Sequence, residues 1–342
     1  MYESKIKKGY SDFPKGMDFL LTYDCNLRCN YCPWWGGNYK SKVKKTYMEI
    51  SSALNLIDEI SSFKPFIRLF GGEPFLHPEW DIIVKYAKEK GIWCTSVTNG
   101  TLIYDQAEKI VKSGLLALGV SIDGFTNNLR LKNSAEKIVE GIKKVNALKD
   151  YYKIENPLIE IYLTINEENY ENLFEFGNYL KELKVNLYRL QHLIWFSKKQ
   201  YEESLNILKK NIKFSSFFGP EEGYIRDKIY KLDIGILKNQ IEKIKKSNFP
   251  FKVEFHPELE FDEIYKYYND IEYRREKNQS CRTMEKFCYI SPEGTLFPCV
   301  TIEIGNVFEK SFFKVWNSKK ARRFRKLIRK IKRLPICGRC PD

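Results

Sequence analysis

From residue 17 to about 195 the sequence alternates short apolar runs with longer amphipathic stretches, and no other feature restricts the fold so strongly. The apolar runs are MDFLLTY (17–23), FIRLFG (66–71), IWCTSVT (92–98), LLALGVSI (115–122), LIEIYLTI (158–165) and VNLYRLQHL (185–193). Helix-length segments follow them at 47–62, 78–90, 103–113, 134–149, 169–183 and 199–213. Strands separated by helices of this length predict βαβ units and a parallel sheet. Periodicity alone leaves two arrangements open, a doubly wound sheet or a partial barrel.

In either arrangement ligands gather at the carboxyl ends of the strands. The unusual residues of this half of the chain fall there. Cys25, Cys29 and Cys32 follow the first run, GGEP (71–74) the second, TNGT (98–101) the third and SIDG (121–124) the fourth. Four such loops on one rim predict one site.

The chemistry of that site turns on the cysteines. The first residues, MYESKIKKGYSDF, lack the apolar core of a secretion signal. No apolar run approaches the roughly 20 residues that span a bilayer. A cytoplasmic protein is therefore the expectation, and in a reducing compartment clustered cysteines read as metal ligands or redox groups. CNLRCNYC (25–32) places three thiols on one loop with no fourth ligand nearby, whereas zinc sites pair cysteines as CxxC and complete a set of four. Iron–sulfur clusters are held by such loops. Three protein ligands on a four-iron cube leave one iron open to another ligand.

CxxxCxxC with Tyr31 just ahead of Cys32, followed by GGEP, TNG and SIDG, resembles the radical SAM superfamily over roughly residues 15–195. The resemblance implies an α/β fold, a partial (β/α)6 TIM-type barrel. It implies a [4Fe–4S] cluster on Cys25, Cys29 and Cys32 whose open iron chelates S-adenosylmethionine (SAM). Reductive cleavage there would yield a 5′-deoxyadenosyl radical that takes a hydrogen atom from substrate. Gly71 and Gly72 would let the backbone approach the cofactor, Glu73 would accept from its ammonium, and Ser121 would bind its carboxylate. Thr98, Asn99 and Asp123 are further cofactor neighbours, or else strand-end caps and turn formers. His77 reads as part of a helix start, and Cys94 as a small core hydrophobe.

The tail differs in composition, holding five of the nine cysteines after residue 275. CRTMEKFCYISPEGTLFPC (281–299) predicts a hairpin turning at SPEGT, and PICGRCPD closes the chain. Cx12Gx4C, a helix and then CxxC resemble the twitch module, a shortened relative of SPASM. That resemblance implies a second, auxiliary [4Fe–4S] cluster on Cys281, Cys299, Cys337 and Cys340, with a structural zinc as the rival. Cys288 is then a spare thiol on a strand, and two clusters are expected in all. KKARRFRKLIRKIKR (319–333) reads as a helix packed by Phe324, Leu327, Ile328 and Ile331 with a solvated basic face. Its alternative role is to receive an anionic partner or electron donor.

The expected organisation is a barrel core at 15–215, a helical connector at 216–275 broken near FFGPEEGY (217–224), and an auxiliary-cluster module at 276–342. The expected activity is that of a radical SAM enzyme, supplied with electrons by a flavodoxin or ferredoxin. It would oxidise or modify a small polar metabolite, a sugar derivative or a peptide side chain. A barrel that begins near residue 17 leaves no recognisable domain ahead of it for a precursor peptide. The net charge of +14 raises RNA modification as an alternative. A non-catalytic iron–sulfur or zinc protein on a barrel scaffold is the alternative outside enzymes.

Overall fold

A computed structural model describes residues 8–33, 46–126, 129–130, 134–212, 223–226, 228–275, 280–299 and 302–341. All six expected strands are present: β1 (Gly16–Thr22), β2 (Phe66–Gly71), β3 (Cys94–Thr98), β4 (Ala117–Ser121), β5 (Leu158–Ile165) and β6 (Leu187–His192). They lie side by side in chain order, every pair parallel. The connecting helices are α1 (Ile50–Ile60), α2 (Trp80–Glu89), α3 (Ile103–Ser113), α4 (Ala135–Tyr152) and α5 (Leu173–Leu180), and α6 (Lys198–Asn211) follows β6.

Strand alternation gives the sheet two unlike faces. Met17, Phe19, Ile67, Leu69, Leu118, Ile159, Ile161 and Leu190 are fully buried in one core with helix residues such as Ile57, Ile83, Ile110 and Ile142. The opposite face is polar. Arg68 grips Asp18 through two hydrogen bonds of 2.7 and 2.5 Å, and Arg189 grips Glu254 at 3.0 and 2.8 Å. Between them Tyr162 donates to Glu160 at 2.5 Å. Its ring lies across β4, where Gly119 leaves the room: a Cβ there would come within 2.8 Å of the ring. A barrel interior filled with aliphatic layers would be a packed core; here paired charges make this face of the sheet polar, with Asp18 fully buried under Arg68.

The sheet is wider than six strands. β7 (Lys252–His256) pairs in parallel with β6, inside the segment expected to be a helical connector. The helices of that segment are α7 (Ile234–Lys246) and α8 (Phe261–Asn269). The expected break at 217–224 lies outside the described residues except for its last two positions. At the other edge β8 (Phe287–Ile290) joins β1 in parallel, so the tail is continuous with the barrel sheet. β8 and β9 (Thr295–Phe297) form the expected antiparallel hairpin, and β10 (Gly305–Asn306) completes the order β10-β9-β8-β1-β2-β3-β4-β5-β6-β7. The tail also carries the short helices α9 (Thr283–Lys286) and α10 (Phe312–Trp316) and the longer α11 (Lys319–Ile331). Phe324, Leu327 and Ile328 of α11 are buried, as its apolar stripe predicts.

Candidate active site

Cys25, Cys29 and Cys32 lie on the loop that leaves the carboxyl end of β1, in electrostatic reach of one another. Local hydrogen bonds shape the loop: the Leu27 N–H donates to the Cys25 Sγ at 3.4 Å, and the Cys32 N–H to the Cys29 carbonyl at 3.0 Å. Burial pushes the Cys25 thiol up to about 12. The Cys29 thiol is pushed up to about 11, again by burial, against the pull of the Arg130 guanidinium. Soft, protonated, partly desolvated thiols give up their protons when a metal takes them, which suits a cluster-binding loop.

The glycine-rich loop packs directly on this cysteine loop. The Gly72 N–H donates to the Thr22 carbonyl and the Glu73 N–H to the Asp24 carbonyl, both at 2.8 Å. Gly71 has φ +127°, and a Cβ on it would stand 2.3 Å from the Thr22 oxygen. One on Gly72 would stand 2.0 Å from the Asp24 oxygen. Backbone contact within the protein therefore already requires both glycines, independently of any cofactor.

Glu73 is held by the protein's own donors. Its carboxylate is fully buried and accepts from the Thr98 hydroxyl at 2.8 Å, the Asn99 N–H at 2.8 Å and the Phe75 N–H at 3.1 Å. Burial raises its carboxyl to about 7, opposed by those three donors. It thus ties the loop after β2 to the loop after β3. Asn99 extends the tie, donating to the Asn26 side chain at 2.8 Å and to the Cys25 Sγ at 3.8 Å. Thr98 and Asn99 make strand-end turn contacts of their own, Thr98 accepting from the Gly100 N–H at 3.1 Å and Asn99 from the Thr101 N–H at 3.0 Å. His77, whose ring bonds the Met48 carbonyl at 2.8 Å, and Cys94 in the core are likewise structural.

A second tie joins the cysteine loop to the loop after β4. Tyr31 donates to Asp123, and Arg130, its side chain 11% exposed, clamps the same carboxylate at 2.9 and 3.0 Å. The Thr164 N–H adds a bond of 3.1 Å from β5. Ser121 is half-buried at the end of β4 beside this group. Arg130 gives no signal in the sequence, because nothing in its neighbourhood is patterned. Replacing it with methionine strands a buried carboxylate, and we expect a loss of about 3–5 kcal/mol of stability on thermal melting. Alkylation of Cys29 in the metal-free protein should also slow, since the charge that favours its thiolate is gone.

The tail assembles a second cysteine set. Burial, and then the charges of Cys340, Cys299 and Cys281, push the Cys337 thiol upward, so all three lie within electrostatic reach of Cys337. Cys288 is fully buried on β8, where it pairs with Met17. Arg339, inside the terminal CGRC, is 1% exposed and fixes this set to the barrel. Its guanidinium stacks 3.5 Å from the Trp195 ring centroid and donates to the Tyr267 and Asp270 carbonyls at 2.9 and 2.5 Å, capping the end of α8. Its position between Cys337 and Cys340 was the one available clue. Among the described residues no three His, Cys, Asp or Glu side chains are drawn together tightly enough to hold a single metal ion.

Fold and site thus define an α/β protein on a mainly parallel sheet of the partial-barrel type, with thiol loops at the strand ends and in the tail. The radical SAM superfamily matches residues 19–184, and the iron-sulfur cluster-binding SPASM domain matches residues 281–341. The chain belongs to the radical SAM superfamily and carries a C-terminal SPASM-type domain. It is an enzyme whose cofactors are a [4Fe–4S] cluster, SAM and an auxiliary iron–sulfur cluster.

The chain is 27% identical over 350 residues to the AdoMet-dependent heme synthase of Methanosarcina barkeri, covering 96% of this chain and 88% of that protein. It is 24% identical over 357 residues to a tungsten-containing aldehyde ferredoxin oxidoreductase cofactor-modifying protein of Pyrococcus furiosus, covering 94% and 85%. Among solved structures, Streptococcus suis SuiB bound to S-adenosylmethionine superposes with a TM-score of 0.63 at 16% identity, covering 94% of this chain and 69% of SuiB. Among the described residues no helix is long and apolar enough to cross a membrane.

Proposed function

We propose that Cys25, Cys29 and Cys32 hold the SAM-binding cluster, that Cys281, Cys299, Cys337 and Cys340 hold the auxiliary one, and that the enzyme abstracts hydrogen from a polar substrate. When bound, the cluster supplies the electron that cleaves SAM to a 5′-deoxyadenosyl radical. The observation that carries this reading is the packing of the three-thiol loop against the Gly71–Glu73 loop by backbone hydrogen bonds of 2.8 Å. That contact fixes the thiols beside a glycine backbone with little freedom to move, so the residues that would hold a cofactor are prearranged before it binds.

The protein's own residues then divide the work. Glu73, Thr98 and Asn99 hold the loops after β2 and β3 in register with Cys25. Asp123, Arg130 and Tyr31 hold Cys29 and Cys32 against β4 and β5. Ser121 is left at the rim as the hydroxyl available to a cofactor carboxylate. The polar face of the sheet, which carries Arg68, Tyr162, Arg189 and, two residues further along β6, Gln191, favours a substrate rich in hydrogen-bonding groups: a small metabolite, a sugar derivative or a peptide side chain. Two relatives named for heme synthesis and for cofactor modification add weight to the small-molecule option. We place the reaction in the cytoplasm with a flavodoxin or ferredoxin as donor. Anaerobically reconstituted protein with dithionite and SAM is expected to release 5′-deoxyadenosine. Absence of that product, with both clusters present, would favour the non-catalytic alternative.

A further inference from the structure

We infer that the outward face of α11 is the docking surface for a small acidic electron-carrier protein, an inference that rests on the reading above because such an enzyme must receive electrons. α11 reads KKARRFRKLIRKI, with eight Lys or Arg in thirteen residues and no acid. Three of these have structural work. Arg325 is fully buried and donates to the Trp316 carbonyl and the Asn317 side chain, both at 2.9 Å. Arg329 pairs with Glu285 at 2.7 Å, and Arg322 covers the Tyr10 ring at 4.6 Å. Lys319, Arg323, Lys326 and Lys330 have none: they are exposed, and no ion pair with a described residue is found for any of them.

Their spacing of four, three and four residues sets them in one stripe along a helix about 20 Å long. The stripe does not serve the helix, since Lys319 and Lys320 stand in its first turn, where the backbone dipole opposes positive charge. It is also held rigidly. Ser318 caps the helix by accepting from the Ala321 N–H, and Phe324, Leu327 and Ile328 are buried beneath.

Position gives the stripe its meaning. Just past the helix the Lys332 carbonyl accepts from the Cys281 N–H at 3.1 Å, and the Leu334 carbonyl from the Cys337 N–H at 2.9 Å. A partner seated on the stripe therefore sits beside the tail cysteines. A strand of RNA would want aromatic platforms among the cations, but the one aromatic of α11, Phe324, is 2% exposed. A membrane would want the apolar stripe, which faces the core. An acidic protein needs only the charge. In the step it performs, one electron leaves the carrier and one enters the enzyme; no bond is made or broken.

The test is a Lys319→Glu, Arg323→Glu, Lys326→Glu, Lys330→Glu variant, assayed with dithionite and with a photoreduced acidic flavodoxin. Dithionite-driven release of 5′-deoxyadenosine should match the wild type, while flavodoxin-driven release and flavodoxin binding should fall about tenfold or more at low salt. Added salt should weaken wild-type binding and leave the variant nearly unchanged. Equal flavodoxin binding by both proteins would overturn the proposal. So would loss, in the variant, of stronger binding to single-stranded RNA or to phosphatidylserine vesicles. If wild-type protein binds flavodoxin as described yet releases nothing with dithionite, the functional reading fails and the docking surface stands.

Discussion

A variant with Cys25, Cys29 and Cys32 all replaced by alanine should hold about four fewer irons per chain than the wild type and release no 5′-deoxyadenosine above background. The converse variant, Cys337→Ala with Cys340→Ala, should also lose about four irons but retain part of the cleavage activity. The asymmetry follows from placement. The first set adjoins the Gly71–Glu73 loop through backbone hydrogen bonds, whereas the second is anchored by Arg339 to Trp195 and the end of α8. Iron and sulfide analysis beside the product assay separates the two. Zinc in the tail of as-isolated protein, with no iron lost on removing Cys337 and Cys340, would assign that set to a structural zinc site instead.

Gly72→Ala should be among the most damaging single substitutions in the protein. The added Cβ would lie 2.0 Å from the Asp24 oxygen and 2.6 Å from its carbonyl carbon. Backbone cannot rotate out of the way as a side chain can, so the loop must shift, at a cost of about 3 kcal/mol or more. Thermal melting should report that cost as a drop of several degrees in Tm. Because the loop being displaced seats Cys25, iron retention should fall with it. Unchanged stability and unchanged iron content would show that the contact between the two loops is not what shapes the site.

Much of this architecture could be read from the sequence, because it is local. Each barrel strand from β1 to β6 carries its own apolar run and is followed by a helix with its own period, so pattern alone positions it. β7 is hidden in the sequence although KVEFH alternates cleanly between Pro250 and Pro257, because its five residues are lost among the charged helices around it. The parallel pairing of β8 with β1 joins residues 287–290 to residues 16–19, and no local pattern encodes a partner so far away. The site divides in the same way. Motif spacing brought forward the cysteines and the glycine loop. The work of Glu73 could not be foreseen, because its three donors come from two loops and fix it only once both have folded. Arg130 partners a carboxylate seven residues away on an unpatterned loop, and Arg339, though set between two cysteines, meets carbonyls some seventy residues distant, so neither role shows before the chain has folded.

The measurement closest to the central claim is the electron paramagnetic resonance spectrum of the anaerobic, dithionite-reduced Cys337→Ala, Cys340→Ala variant, taken before and after addition of SAM. An iron left without a protein ligand by Cys25, Cys29 and Cys32 predicts a reduced-cluster signal whose shape and g-values change when SAM occupies it. A spectrum that SAM leaves unchanged, from protein still holding about four irons per chain, would contradict the account.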